Sequence, residues 1–279
     1  MVNSVLFSRD RAMQLDLTLR SLEKNCKELL SDGRVSIIYL ATNEDFKKGY
    51  EKLKIEFADY KINFIEQSAN FKNDVISALT PPEGEQSDYT TFLVDDDILY
   101  RPAKLEDAIK HLKADEDVFC FSMRMGLNVK FSYTMDCVNV FHNVEDMEDF
   151  IKWDWSLHYL DPGYPLSLDF HIFRTSDIIK LIKKTTFDNP NTLEAGLQQF
   201  DNFPRNKMVA YKHSIMVNSP TNKVQNTFDN INGKKYGMTT KELNDKYLAG
   251  EIIDLEALDF LTDPIIGCHQ EINLVFKKQ

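Results

Sequence analysis

The chain predicts an α/β fold, a mostly parallel sheet flanked by helices with a C-terminal helical and irregular extension. Three observations carry that expectation. The first hundred residues alternate short apolar, β-branched runs with helix-period stretches at short spacing, the pattern of βαβ units. The fourth such run, residues 90–94, leads directly into Asp95, Asp96 and Asp97, and open α/β sheets bind ligands outside the carboxyl ends of their strands. Finally, 279 residues with 43% apolar and 28% charged side chains suffice for one large domain, or one with an appendage.

Taken in order, residues 5–8 read as a first strand, Arg9-Asp10-Arg11 as a polar turn, and the next stretch as a helix with Leu15, Leu19 and Leu22 on one face. Residues 35–40 and 62–65 are the second and third strands, with a helix over 46–57 between them. A further helix over 73–79 ends at Pro81-Pro82. No glycine precedes Gly33, so the first strand–helix turn has neither G-x-G-x-x-G nor a P-loop, which argues against dinucleotide-binding enzymes and P-loop NTPases. Ser8 to Arg11 offers side-chain donors and acceptors instead, suited to a base or ribose or simply to starting a helix. Arg9, Arg11 and Lys72 follow strand ends and are candidate donor or phosphate contacts.

Beyond the triplet, residues 104–112 read as a helix and 118–123 as a strand ended by Arg124-Met125-Gly126. Residues 128–166 are less regular. Trp153, Trp155, His158, Tyr159 and Tyr164 gather there around Asp161-Pro162-Gly163, either to stack on a sugar or base or as a core patch under a long loop. Residues 168–174 read as a strand in which Asp169, His171 and Arg174 form a polar cluster, a buried ion pair or a catalytic group. A helix follows from Ser176, and another opens at Pro190 with Glu194 in its first turn. Residues 209–215 form a late strand holding His213, and a lone strand histidine is more often structural than ligating. The tail is polar, with scattered apolar helix over 243–261. We expect one catalytic domain over residues 1–220 and an extension over 221–279 packed on it.

Three like charges in succession repel one another unless something cationic shares them. A hard ion such as Mn²⁺ or Mg²⁺ suits carboxylate oxygens and can hold a ligand's phosphates too. An acidic surface turn is the plain alternative. The apolar residues before the triplet, and Ile98-Leu99-Tyr100 after it, favour a metal–diphosphate site. The net charge of −11 argues against non-specific nucleic-acid binding and a polybasic membrane anchor. The four cysteines, Cys26, Cys120, Cys137 and Cys268, are far apart, which suggests neither a disulfide framework nor a zinc knuckle. The start of the chain lacks the features of a signal peptide, and no stretch is apolar enough to span a bilayer. We therefore expect a cytoplasmic protein, with room for peripheral contact at the inner face of the membrane.

These features, in this order, resemble a nucleotide-sugar glycosyltransferase of the GT-A fold, family-2-like. The opening strand with its Arg9-Asp10-Arg11 turn and leucine-bearing helix is similar to the family's start, and Val94-Asp95-Asp96-Asp97 resembles its DxD element. Gly126 stands where the family has a glycine-bearing loop beside the donor. Glu194 resembles the acidic residue that supplies the base in inverting members, although Leu193-Glu194-Ala195 stands where many members carry Glu-Asp. His213 is similar in placement to a histidine that completes the metal shell. The resemblance covers approximately residues 3–220. It implies a hexosyltransferase using a UDP, GDP or dTDP sugar, with a glycan or lipid-linked acceptor, in surface polysaccharide or glycoconjugate synthesis. It also implies Mn²⁺ or Mg²⁺ held by Asp95, Asp97 and His213, and donor contacts from Ser8, Arg9, Arg11, Lys72, Asp95, Asp96 and Gly126.

The chemistry fits these residue types. A divalent ion neutralises the charge left on a departing diphosphate, and the reacting anomeric carbon becomes oxocarbenium-like. The acceptor hydroxyl needs a general base, for which Glu194 is the first candidate and Asp169 the second. Other classes fit less well. A haloacid-dehalogenase-type phosphohydrolase carries its aspartates near the chain start. A nucleotidyltransferase wants a glycine-rich basic loop after the first strand, and a non-catalytic carbohydrate- or Ca²⁺-binding module would be smaller or show EF-hand spacing.

Overall fold

The first apolar run extends over Val2–Arg9 (β1) and is buried as far as Ser8, as suits an inner strand covered on both faces. A computed structural model describes residues 1–82, 86–157, 159–200, 203–228 and 231–279. The βα alternation holds through the first third: α1 (Ala12–Asn25), α2 (Lys27–Ser31), β2 (Arg34–Leu40), α3 (Glu44–Glu56), β3 (Ile62–Glu66), α4 (Phe71–Leu79) and β4 (Tyr89–Val94). Asn43 and Asn70 start α3 and α4 by accepting backbone amides of the first turn. Next come β5 (Asp97–Leu99), α5 (Leu105–Ala114) and β6 (Val118–Ser122). The irregular middle contains four short strands: β7 (Phe131–Ser132), β8 (Cys137–Val138), β9 (Glu145–Met147) and β10 (Phe150–Asp154). The chain then runs through β11 (His171–Arg174), α6 (Thr175–Lys184), α7 (Pro190–Leu197), β12 (Lys207–Tyr211), β13 (Met216–Asn218), α8 (Thr240–Leu248), β14 (Glu251–Ile253) and β15 (Phe276–Lys278).

Nine strands form one sheet in the order β3-β2-β1-β4-β11-β6-β12-β10-β9. β3, β2, β1 and β4 are mutually parallel, as are β6 and β12, whereas β11 lies antiparallel between β4 and β6. That reversal positions the site. An antiparallel strand begins where its neighbours end, so residues 167–170 arrive at the carboxyl ends of β4 and β6. The Phe170 amide donates to the Phe92 carbonyl at 2.8 Å, and the Phe170 carbonyl accepts from Met123 at 3.0 Å.

Apolar side chains cover both faces of the sheet. One core joins α1, α3, α5, α8 and β14 through residues such as Leu15, Leu53, Leu112, Tyr247 and Ile253; the other joins α4, α6 and α7 through Val75, Ile182 and Leu193. Trp153 and Trp155 belong to the second core and are fully buried, with Trp153 Nε1 donating to the Pro162 carbonyl at 2.8 Å. They form the core patch, while Tyr159 and Tyr164 turn to the cleft; His158 lies outside the described residues. Among the described residues no helix is long and apolar enough to cross a membrane.

Several expected elements are shorter. The strand expected over 168–174 begins at His171, because Phe170 takes a left-handed φ of 49° that breaks the pleat. The helix expected over 243–261 stops at Leu248, and Gly250, at φ 80°, turns the chain into β14. Arg174 lies at the far end of β11 from Asp169, so the expected Asp169–His171–Arg174 cluster does not form. Instead Arg174 donates to the carbonyls of Val118 (2.6 Å), Asp115 (3.1 Å) and Leu112, closing the end of α5 onto β6. Arg174→Met should therefore lower the unfolding free energy by about 1–3 kcal/mol, the cost of stranding buried carbonyls. Urea denaturation with wild-type stability in the variant would contradict that bracing role.

Candidate active site

The turn after β1 is shaped by Asp10, whose φ of 56° is left-handed and whose carboxylate accepts from the Thr42 amide and hydroxyl, both at 2.8 Å. The turns after β1 and β2 are thereby joined, and Arg11 is aimed across the sheet. Its Nη1 donates to Asp95 Oδ1 and Asp96 Oδ2, each at 2.9 Å, and its Nε donates to Asn222 Oδ1 at 2.7 Å. Burial opposes the charge, but Asp96 and Asp95 outweigh it and hold Arg11 above the ordinary arginine range. Asp95 also accepts from Ser8 Oγ at 2.8 Å and the Arg9 amide at 3.1 Å. The cation that shares the triplet's charge is thus a guanidinium from the β1–α1 turn.

The three aspartates are not equivalent. Asp97, fully buried, accepts from the Val94 amide at 3.0 Å and Asn218 Nδ2 at 3.1 Å. Burial and the nearby Asp169 push its carboxyl well above the usual range. Asp96 lines the cleft and accepts from Arg11 and from Asn218 Nδ2 at 2.9 Å. A carboxylate has about four acceptor positions, so Asp96 retains capacity on the cleft side. Mg²⁺-type ions are held by one or two carboxylates together with substrate phosphates, a description that Asp96, with Asp95 beside it, fits. Asp97, the other expected ligand of the triplet, does not line the cleft and caps the turn through the Val94 amide.

Across the cleft a second polar group surrounds Arg124, fully buried just beyond β6. Arg124 Nη1 donates to Asp169 Oδ2 at 2.6 Å and Ser167 Oγ at 2.9 Å, and Asp161 lies 3.9 Å from its Nη2. His269 Nε2 lies 3.2 Å from Asp169 Oδ2. Pairing brings His269 there: β13 runs antiparallel to β5 with Asn218 opposite Asp97, and residues 268–270 are stitched to Asn218 by two backbone hydrogen bonds of 2.9 Å. The ligand atoms of Asp161, Cys268 and His269 lie within 4.8 Å of one another, and the Arg124 guanidinium supplies positive charge beside them.

Glu194 is set by a helix start. Asn189 accepts from the Thr192 amide, Thr192 Oγ1 accepts from the Asn189 amide, and Pro190 fills the first turn, where a missing N–H is tolerated. α7 then lays Asn191, Glu194 and Gln198 along the cleft, with Glu194 Oε1 accepting from the Leu168 amide at 3.0 Å. The two carboxylates are pushed apart. Burial, then the charge of Asp169, raises Glu194 above the usual carboxylate range. Burial would raise Asp169 too, but His269 and Arg124 pull it well below that range. Strained backbone borders the site: Asp10, Leu160 and Phe170, at φ 56°, 52° and 49°, all adjoin or line the cleft.

Of the expected residues, Ser8, Arg9, Arg11, Asp95, Asp96, Asp169 and Glu194 line one cleft of about 1290 Å³. Four others do not. Lys72 donates to the carbonyls of Lys183 (2.9 Å) and Thr185 (2.6 Å), closing the end of α6. Gly126 packs against the 213–214 turn, where an added Cβ would lie 2.3 Å from the Ser214 nitrogen. His213 is exposed in that turn because β12 ends at Tyr211. Asp97 is the fourth. The histidine in the cleft is His269, and Arg124, Asp161, Asn218 and Asn222 were also missed. Of these only Arg124, a charge just past an apolar strand, gave a local signal.

No protein-family model matches the chain, and no curated protein matches it. Solved structures similar in fold include a cytidylyltransferase from Leptospira borgpetersenii serovar Hardjo-bovis (14% identity, 72% of this chain and 73% of that one, TM-score 0.38). S. aureus TarS 1-349 in complex with UDP is similar at 16% identity over 77% of this chain and 59% of that one, TM-score 0.47. The mannosyltransferase PcManGT from Pyrobaculum calidifontis, in complex with GDP-Man and Mn²⁺, is similar at 9% identity over 76% and 56%, TM-score 0.40. The chain thus spans less than two thirds of the latter two.

The His269–Asp169 pair makes a pH prediction. Burial opposes the His269 charge, but Cys268 and Asp169 outweigh it and raise its pKa well above the usual value. A raised histidine stabilises the fold fully below its unfolded pKa of about 6.5, and that share is lost as pH rises through the folded value. Asp169, being lowered, contributes above about pH 3.9 and loses its share as pH falls. His269→Gln should therefore lower Tm most between about pH 4.5 and 6.5, and less in alkaline solution. A gap in Tm that stays constant from about pH 5 to 9 contradicts the charged pair.

Proposed function

We propose that the chain is a metal-assisted glycosyltransferase of hexosyltransferase type. It moves a sugar from a UDP, GDP or dTDP donor to an acceptor hydroxyl with inversion, in building a surface polysaccharide or glycoconjugate. One observation carries this reading: a single cleft joins a diphosphate-suited end (Arg9, Asp95, Asp96) to a carboxylate pair whose pKa values are driven apart. Its volume exceeds the roughly 300–1,000 Å³ of an ordinary ligand pocket, which suits two substrates at once.

Asp96, with Asp95, would hold Mn²⁺ or Mg²⁺, which would supply neutralising charge for a leaving diphosphate. Arg11 is committed to the aspartates and Asn222, so it shapes the donor site, whereas Arg9, 43% exposed at its side chain, is available to the phosphates. Asp169, fixed and ionised, faces the positive charge that develops on the anomeric carbon. Glu194, raised above the usual carboxylate range, is the stronger base of the pair and takes the proton of the acceptor hydroxyl.

Two experiments test this function. A thermal-shift screen of UDP, GDP, dTDP and CDP with Mn²⁺ should show a rise in Tm for wild type that Asp96→Asn abolishes and Asp97→Asn retains; ligand at 100 Kd is worth about 2.7 kcal/mol. The reverse order would restore Asp97 as the ligand. Slow hydrolysis of a nucleotide sugar should accompany binding, and phosphate release from simple monoesters would indicate a hydrolase instead.

Glu194→Gln should leave donor affinity intact and cut transfer by about 10²–10⁴-fold. In wild type kcat/KM should fall as pH drops through the raised Glu194 value, and that limb should vanish in the variant. If Asp169→Asn alone removes the limb, the two roles are exchanged.

A further inference from the structure

Among the described residues, one group of thiol, imidazole and carboxylate converges closely enough to hold a metal ion. It is Asp161, Cys268 and His269, whose ligand atoms lie within 4.8 Å of one another. Two segments far apart in the chain build it. Neighbouring residues of a strand face opposite ways, but a bend at residues 267–268 turns Cys268 and His269 towards one point, with Cys268 Sγ 3.4 Å from His269 Nδ1. The bend requires Gly267, where an added Cβ would lie 2.8 Å from the His269 carbonyl oxygen and 2.9 Å from that of Phe131. Asp161 comes from the other segment, delivered by left-handed Leu160 to the start of a short 3₁₀ turn, Asp161–Gly163. Asn139 fixes it twice: Nδ2 donates to Asp161 Oδ2 at 2.9 Å, and Oδ1 accepts from the Asp161 amide at 3.3 Å.

The surrounding groups are those a metal ligand needs. A ligating histidine donates its other ring N–H to a carboxylate, which fixes the tautomer and aims the free nitrogen, and a ligating carboxylate is itself hydrogen-bonded. His269 Nε2 lies 3.2 Å from Asp169 Oδ2, which leaves Nδ1 towards Cys268. Asn139 holds Asp161 through Oδ2, which leaves Oδ1 for an ion. We propose that Asp161, Cys268 and His269 bind a zinc ion, separate from the Mn²⁺ or Mg²⁺ assigned to Asp96. Thiolate and imidazole suit Zn²⁺, whereas the harder ions take oxygen. The charges allow it: a Cys268 thiolate, Asp161 and Asp169 together outweigh the Arg124 guanidinium, whose Nη2 stays 3.9 Å from Asp161 Oδ1. In the metal-free chain the Nδ1 proton of the charged His269 occupies the ion's place. Three protein ligands leave a fourth tetrahedral position. Cys268 is buried while Asp161 and His269 line the cleft, so that position opens to the cleft and takes water or a substrate oxygen. The inference stands apart from the transferase reading, because it uses only the ligands and their partners.

The test uses the full chain without an affinity tag, stripped with a chelator and titrated with Co²⁺, whose thiolate ligation gives a charge-transfer band in the near ultraviolet. About one Co²⁺ per chain should bind with that band, and Zn²⁺ should displace it and raise Tm. Cys268→Ser should lose the band. Asp161→Asn should keep it but bind Co²⁺ at least about tenfold more weakly, and both variants should melt as the metal-free wild type does. Asp96→Asn should keep both band and affinity. No band in wild type, a band that survives Cys268→Ser, or one lost in Cys137→Ser instead overturns the proposal. So does a band lost in Asp96→Asn, since the ion then sits at the aspartate triplet. Should Cys268→Ser fail to fold, Asp161→Asn decides, and unchanged Co²⁺ affinity there overturns the proposal. Nucleotide binding by a chain that takes up no Zn²⁺ overturns this inference alone. Zn²⁺ uptake with the expected variant pattern upholds it even where no nucleotide binds, and the functional reading then fails by itself.

Discussion

The rest of the cleft depends on one ion-pair cluster, the Arg11 guanidinium between Asp95 and Asp96. Three successive carboxylates at a strand end are unstable as bare charges, and a buried charge deprived of its partner costs about 3–5 kcal/mol. Arg11 resolves this from the neighbouring turn and also bonds Asn222, so the ends of β1 and β4 and the segment after β13 meet at one side chain. Asp10 and Ser8 support it on either side, Asp10 by bonding Thr42 and Ser8 by bonding Asp95 and Tyr50. The geometry of this end of the cleft is therefore fixed by the protein's own contacts, which is the condition for electrostatic preorganisation.

The second constraint is topological. Inserting β11 antiparallel between β4 and β6 delivers residues 167–169 to the cleft, where Arg124 and Glu194 hold them from opposite sides. The same reversal separates Arg174 from Asp169 by the length of the strand. Asp169 and Glu194, with equal formal charge, are driven in opposite directions because only Asp169 has cationic neighbours within hydrogen-bonding distance. The floor is thus polar and internally paired, whereas Met135, Tyr159 and Phe228 make the mouth largely apolar.

Much of this was legible in the sequence where the signal is local. The βα alternation, the burial of residues 90–93 and a cleft at the triplet follow from apolar period and charge placement. Ser8, Arg9, Arg11, Asp95, Asp96, Asp169 and Glu194 do meet in one cleft. The need for a cation beside the triplet was also readable, but not that a guanidinium supplies it, because Arg11 and Asp95 are 84 residues apart. Asp97 falls outside the cleft lining because residues 95 and 96 form a turn between β4 and β5, and the sequence does not show which of three successive aspartates such a turn leaves on the cleft side. Gly126 and His213 were taken from the resemblance, by their place in the family's order of features; Gly126 packs against the turn that holds His213, and neither lines the cleft. His269 could not be found that way: only the pairing of residues 268–270 with Asn218, fifty residues earlier in the chain, brings it beside Asp169.

The measurement that bears most directly on the central claim is a crystal structure of the chain with a nucleoside diphosphate and Mn²⁺. The diphosphate should lie between Arg9 and Asp96 with the metal on Asp96, its terminal phosphate pointing towards Asp169 and Glu194 and the Arg11 ion pair intact. A nucleotide bound elsewhere, or one whose terminal phosphate points away from that carboxylate pair, would contradict the account.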